Sequence, residues 1–125
     1  MNERILEGKV VYGKQLGRTI GFPTANIDVE DMEACPAGVY CGVSRVDETD
    51  YRVIINIGRH PTVPEGPPTV EAHLIGFEGN LYGRTLSVRL TGYLRGEKKF
   101  ASLDELKAQL ELDREAARRT PIGNE

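Results

Sequence analysis

Gly38-Val39-Tyr40-Cys41-Gly42-Val43-Ser44-Arg45-Val46-Asp47-Glu48-Thr49-Asp50-Tyr51-Arg52-Val53-Ile54-Ile55-Asn56-Ile57 is the stretch on which the fold turns. Pro36-Ala37-Gly38 launches a strand in which Val39, Cys41 and Val43 alternate with Tyr40, Gly42 and Ser44, the period of a half-buried β-strand. The polar run Asp47-Glu48-Thr49-Asp50 turns the chain, and Tyr51 to Ile57 returns with Val53, Ile55 and Ile57 on one face. The pattern predicts an antiparallel hairpin.

Outward from it, the same period recurs. Ile5 to Tyr12 reads as a strand ended by Gly13, and Thr69 to Phe77 as another. Glu78-Gly79-Asn80 is a tight connection to a strand over Thr85 to Tyr93, where Leu86, Val88 and Leu90 face one way. Asp28 to Ala37 reads as an acidic, solvated loop, and the proline-rich run from Gly58 to Pro68 as a loop that cannot be a central strand. Short strands at this spacing, with no helical pattern between them, predict an antiparallel barrel or sandwich. The one convincing helix comes last. Ser102 and Glu105 form a capping box, Leu103, Leu106 and Leu110 recur at helical spacing, and Thr120-Pro121 and Gly123 stop the run after Arg119. Arg114, Arg118 and Arg119 form a solvated cationic end that suits the helix dipole.

The chain has 125 residues, which is enough for one core and predicts a single domain, leaving no room for a second catalytic domain. With 16 Lys and Arg against 19 Asp and Glu, the formal net charge is −3, so a nucleic-acid backbone would be met against the overall field. Single-stranded nucleic-acid binding also wants aromatic platforms in a basic groove, whereas this chain has no Trp, three Phe and five Tyr, scattered along it. No apolar run approaches roughly 18 residues and the N-terminus does not read as a signal peptide, so the expectation is a cytoplasmic protein with no membrane contact. The 2 cysteines, Cys35 and Cys41, make neither a disulfide framework nor a zinc site and are read as reduced thiols.

Between the first strand and the acidic loop lies a stretch suited to neither helix nor strand. Glycines at Gly13, Gly17 and Gly21 leave backbone N–H groups free to approach an anion, with Lys14 and Arg18 among them, which describes a phosphate cradle. Taken alone, such a loop is more often a solvated turn. Pro23 biases Phe22 to an extended conformation, and continued extension points Thr24 and Asn26 to one side as hard oxygen donors of the kind magnesium takes beside phosphate oxygens. In Val70-Glu71-Ala72-His73-Leu74 the period of two puts Glu71 and His73 opposite the apolar trio. Phosphoryl transfer needs a group that orients the attacking hydroxyl and accepts its proton, and Glu71 is the best-placed candidate; its bland alternative is an ordinary exposed strand glutamate. His73 is read as structural and His60 has no assigned role.

Gly17-Arg18-Thr19-Ile20-Gly21-Phe22-Pro23-Thr24-Ala25-Asn26-Ile27 resembles the signature of the ATP-dependent riboflavin kinases of bacteria and eukaryotes. The resemblance continues through Asn56-Ile57-Gly58 with Pro61-Thr62, Val70-Glu71-Ala72-His73, Leu81-Tyr82-Gly83, and Leu94-Arg95-Gly96-Glu97-Lys98 with Phe100 and Ser102-Leu103, in the family's order. It implies a mainly β, closed antiparallel six-stranded Greek-key barrel over about 5–94 with a C-terminal helix over about 102–119. It also implies phosphoryl transfer from ATP to riboflavin, giving FMN, with Mg2+ and with Glu71 as the base. By the same resemblance Gly13, Lys14, Gly17, Arg18, Gly21, Pro23, Thr24 and Asn26 would meet the nucleotide phosphates, with Thr24 and Asn26 nearest the metal. Leu74 and Tyr82 would flank the nucleotide, and Arg95, Lys98, Phe100 and Leu106 would lie near the flavin. For Leu74, Leu106, Lys98 and Phe100, core packing, a solvated loop or packing beside the helix start are competing readings.

Many family members carry this module fused to an adenylyltransferase that converts FMN to FAD; these residues contain no counterpart of it, so a separate FAD-forming adenylyltransferase is a candidate partner. The expected oligomeric state is a monomer. Gly96 stands where the family commonly has proline, which loosens the segment after Arg95. Two other classes compete with the kinase: a catalytically weak flavin- or nucleotide-binding regulatory module of the same fold, and a nucleic-acid-binding barrel. Loss of Thr24, Asn26 or Glu71 would mark the regulatory module, and all are present.

Overall fold

The structure is a computed structural model that describes residues 4–11, 24–29, 36–58, 69–98 and 100–119. Gly13, Lys14, Gly17, Arg18, Gly21 and Pro23, together with Cys35, His60 and the loop over 59–68, lie outside the described residues. The strands are β1 (Arg4–Val11), β2 (Ala25–Val29), β3 (Gly38–Val46), β4 (Thr49–Gly58), β5 (Thr69–Leu74) and β6 (Thr85–Arg95), followed by the helix α1 (Leu103–Arg119). All neighbours are antiparallel, and the closed order is β1-β2-β5-β4-β3-β6. β3, β4 and β5 form a meander and β6 returns beside β3, a Greek key. β1 and β2 fill the gap between β6 and β5, so every strand has two partners and no edge is left open.

The alternating residues meet inside. Leu6, Val10, Ile27, Val53, Ile55, Ile57, Val70, Ala72, Leu74, Leu86 and Val88 belong to one core cluster. Val53, Ile55 and Ile57 are fully buried, each burial contributing about 1.5–3 kcal/mol relative to exposure. β3 departs from the expected half-buried strand: it is buried on both faces over Gly38 to Ser44. Its inward residues Tyr40 and Val46 join the barrel core, while the outward Val39 and Cys41 pack with Ile54 and Ala117 of α1 in a second cluster. The helix thus covers one outer wall of the barrel.

Several boundaries differ from the expectation. Asp28 and Val29 are strand, not loop, because β1 supplies their ladder partners Lys9 and Gly8. The β3–β4 turn is only Asp47 and Glu48, both at positive φ (50° and 68°), so Thr49 and Asp50 are already paired. β5 ends at Leu74, and the connection to β6 is longer than the tight one expected. Gly76 (φ 87°) opens it, the Asn80 side chain accepts from the Tyr82 N–H at 2.9 Å, and Leu81 is buried. In α1 the Glu105 N–H donates to Ser102 Oγ at 3.2 Å, while the Glu105 carboxylate reaches back to the Ala101 N–H at 3.1 Å, one residue beyond the expected partner. Leu103 is exposed, contrary to the expected stripe; the buried helix residues are Asp113 and Ala117, which lie on the stripe of Leu106 and Leu110. No described helix is long and apolar enough to cross a membrane.

Candidate active site

The candidate site lies on the outer face of β2, β5 and β4. Ala25 and Ile27 turn inward on β2, so Asn26 turns outward; Val70 and Ala72 do the same for Glu71 on β5. Asn26 and Asn56 are both register partners of Glu71, one on each side, which places an Asn26–Glu71–Asn56 row across three strands. Cross-strand partners lie about 4.5–5.5 Å apart at Cβ, so these side chains share one patch. Thr24, just before β2, joins them: its hydroxyl donates to Glu71 Oε1 at 3.3 Å. The acid and both hard-oxygen donors singled out in the sequence are therefore brought together.

Glu71 and Asn56 also line a cavity of about 260 Å3 between barrel and helix. Its floor is Val39 and Ile54 of the outer barrel face, its far wall Leu106, Leu110 and Asp113 of α1, and its rim Arg95, Glu97, Lys98 and Phe100 after β6. One end is thus a carboxylate beside amides, the other an aromatic ring among leucines. Arg95, Lys98, Phe100 and Leu106, widely separated from Glu71 in the chain, are gathered round the same space. Leu74 sits inside the barrel core and Tyr82 is exposed in the β5–β6 connection, and neither lines this cavity. His73 is buried on the outer side of β5, opposite Ile54.

The rim is held by a polar network that the sequence does not announce. Arg95 donates to Asp113 twice, Nε to Oδ1 at 3.0 Å and Nη2 to Oδ2 at 2.8 Å, and its Nη1 donates to the Gly96 carbonyl at 3.0 Å. Gln109 Nε2 donates to Asp113 Oδ1 at 3.0 Å, and Lys98 Nζ donates to Gln109 Oε1 at 3.4 Å. Both cations lie over the Phe100 ring, at 5.9 Å and 5.8 Å from its centroid. Asp113 and Asn56, which line the cavity, and Gln109, which bonds to Asp113, do not stand out in the sequence because a polar residue on a helix or strand reads as solvated. For Asp113 the only available hint was its place seven residues after Leu106 on the buried stripe.

The donor set suits a hard cation. Among the described residues there is no group of three or more His, Cys, Asp and Glu that could cage a metal. Magnesium bound to a phosphate needs only one or two protein oxygens, and the Thr24 hydroxyl, the Asn26 amide oxygen and the Glu71 carboxylate provide candidates side by side.

A family model described as flavokinase, riboflavin kinase, matches residues 2–120. The chain is 44% identical over 114 residues to the bifunctional riboflavin kinase/FMN adenylyltransferase of Escherichia coli K12, covering 90% of this chain and 36% of that protein. To the protein of the same description from Bacillus subtilis it is 36% identical over 116 residues, covering 90% and 37%. The chain therefore spans little more than a third of the length of these relatives. Among solved structures, riboflavin kinase from Trypanosoma brucei superposes with a TM-score of 0.62 at 25% identity, covering 95% of this chain and 82% of that one. A Streptococcus pneumoniae structure described as a macrolide-efflux protein superposes with a TM-score of 0.85 at 33% identity, covering 94% and 39%.

Proposed function

The chain belongs to the riboflavin kinase family, and from that premise we propose that it transfers the γ-phosphoryl group of ATP to the 5′-hydroxyl of riboflavin, giving FMN and ADP. The observation that carries this reading is the continuity of the cavity from Glu71 to Phe100 and Leu106. A polar chain ending in a hydroxyl fits the carboxylate end, and a flat ring system fits the aromatic and leucine end.

In this reading Glu71 accepts the hydroxyl proton as the new O–P bond forms and the bond between the γ-phosphorus and its bridging oxygen breaks, releasing ADP. The Thr24 hydroxyl, already hydrogen-bonded to Glu71, fixes the carboxylate's orientation. Thr24 and Asn26 would hold Mg2+, which when bound neutralises charge on the nucleotide phosphates. Gly13, Lys14, Gly17, Arg18, Gly21 and Pro23 are assigned to phosphate binding on the family's pattern. Tyr82 is assigned to the nucleotide side and Arg95, Lys98, Phe100 and Leu106 to the flavin side, while Leu74, inside the barrel core, takes the packing role that competed for it.

FMN made here is suited to an adenylyltransferase of the kind named in the relatives, a candidate partner, and we assign the reaction to the cytoplasm. The test is to incubate the protein with riboflavin, ATP and magnesium and to separate the flavins by chromatography. FMN appearing in proportion to enzyme supports the reading. Riboflavin that binds and is never converted would replace it with the regulatory module.

A further inference from the structure

We propose that Asp113, supported by Gln109, is a positioning residue for riboflavin binding: it fixes Arg95 and Phe100 as a rigid wall at the ring end of the cavity. This inference rests on the kinase reading for the identity of the ligand. Its physical basis is independent of that reading. The Asp113 side chain is only 4% exposed and Arg95 20%, so the pair is largely withdrawn from water at the cavity edge. A buried ion pair is weak support for stability, because desolvation offsets its attraction, but a two-bond fork fixes the plane of a guanidinium.

That plane has little freedom left. Nε, Nη1 and Nη2 of Arg95 all donate within the protein, to Asp113 and to the Gly96 carbonyl. These bonds take three of the five guanidinium N–H groups and fix the plane of the group. What it offers is a flat cationic face with the Phe100 ring beside it. Gln109 bridges the remaining piece, accepting from Lys98 while donating to Asp113, so both cations flanking Phe100 are anchored to one helix turn. Gly96 to Lys98 follow β6 without regular structure, so these contacts from α1 restrict a stretch that has no ladder bonds of its own. Pre-ordering a wall before a ring system stacks on it reduces the entropy lost on binding.

The experiment compares the unmodified protein with Asp113→Asn, Gln109→Leu and the double variant Arg95→Met with Asp113→Leu. Riboflavin affinity is read from quenching of its own fluorescence, MgATP affinity by calorimetry, and folding by thermal denaturation. Asp113→Asn is expected to weaken riboflavin binding on the order of tenfold, the scale of a lost hydrogen bond to a charged group, with MgATP binding unchanged. Gln109→Leu is expected to give a smaller loss in the same direction. The double variant is expected to match the unmodified protein in melting temperature while remaining weak for riboflavin.

Riboflavin affinity that is unchanged in Asp113→Asn, or restored by the apolar double variant, overturns the proposal, as does an equal loss for both ligands. Should Asp113→Asn not fold, the other variants decide. A protein that binds riboflavin without making FMN fails the kinase reading, while the binding comparison still judges Asp113. A protein that binds no riboflavin overturns both.

Discussion

Thr24 and Glu71, 47 residues apart in the chain, meet where β2 pairs with β5: the threonine hydroxyl donates to the glutamate Oε1 at 3.3 Å. Asn26, two residues on, is the register partner of the same glutamate. A single strand pairing therefore joins the oxygen donors to the acid, and the closure of the barrel through β2 and β5 holds that pairing in place.

Removing one of the oxygen donors should act through the metal. Asn26→Ala is expected to raise the magnesium concentration needed for half-maximal turnover by on the order of tenfold, with the riboflavin KM little changed. Magnesium titrations at saturating ATP check this, and superimposable curves would remove Asn26 from the ligand set.

Glu48 occupies the left-handed region at φ 68°, following Asp47 at φ 50°, in a two-residue hairpin turn. Such turns favour glycine at their second position, and an L side chain there costs about 1–2 kcal/mol. Glu48→Gly is expected to stabilise the protein by about 1 kcal/mol, measured by urea unfolding.

The same turn predicts a pH dependence. Two hydrogen bonds from Arg84, and then its charge, hold the Asp47 carboxyl below the usual carboxylate range. A depressed carboxylate contributes stability that is present above the ordinary aspartate value, about 3.9, and is lost as pH falls through the folded-state value below it. The pair is fully exposed, so the contribution is small and screened by salt. The stability difference between the parent and Arg84→Ala should thus shrink on acidification below the ordinary range, and also in high salt at neutral pH.

Gly8 lies between Val29 of β2 and Leu86 of β6, and a Cβ placed there would come within 2.1 Å of the Asp28 carbonyl oxygen. Backbone cannot yield as a flexible side chain can. Gly8→Ala is expected to destabilise the barrel by about 1–3 kcal/mol, read as a lower urea midpoint.

The inward faces were legible in the sequence because a barrel wall has an inside and an outside, and the period of two sorts residues between them. Val53, Ile55 and Ile57, then Val70, Ala72 and Leu74, then Leu86 and Val88 all point where the alternation sends them. Alternation says nothing about which strand lies beside which. The β2–β5 pairing that makes the Asn26–Glu71 part of the row, and the place of Asn56 in it, depend on register between distant segments. β3 misled in a different way: its outer residues Val39 and Cys41 are buried by α1, whose Ala117 comes more than seventy residues later in the chain. Asp113 was hidden for the same reason, since a carboxylate reads as solvated until its partner Arg95 is brought to it. The residues that the family's motifs singled out, Thr24, Asn26 and Glu71, meet through that same β2–β5 pairing.

The central claim, that Glu71 accepts the proton of the attacking hydroxyl, is tested most directly by the turnover of Glu71→Gln. Glutamine keeps the size and one acceptor oxygen but cannot take the proton. In Glu71→Gln, kcat for FMN formation is expected to fall by on the order of 10²–10⁴ while MgATP and riboflavin still bind. Turnover within a few-fold of the unmodified protein would contradict it.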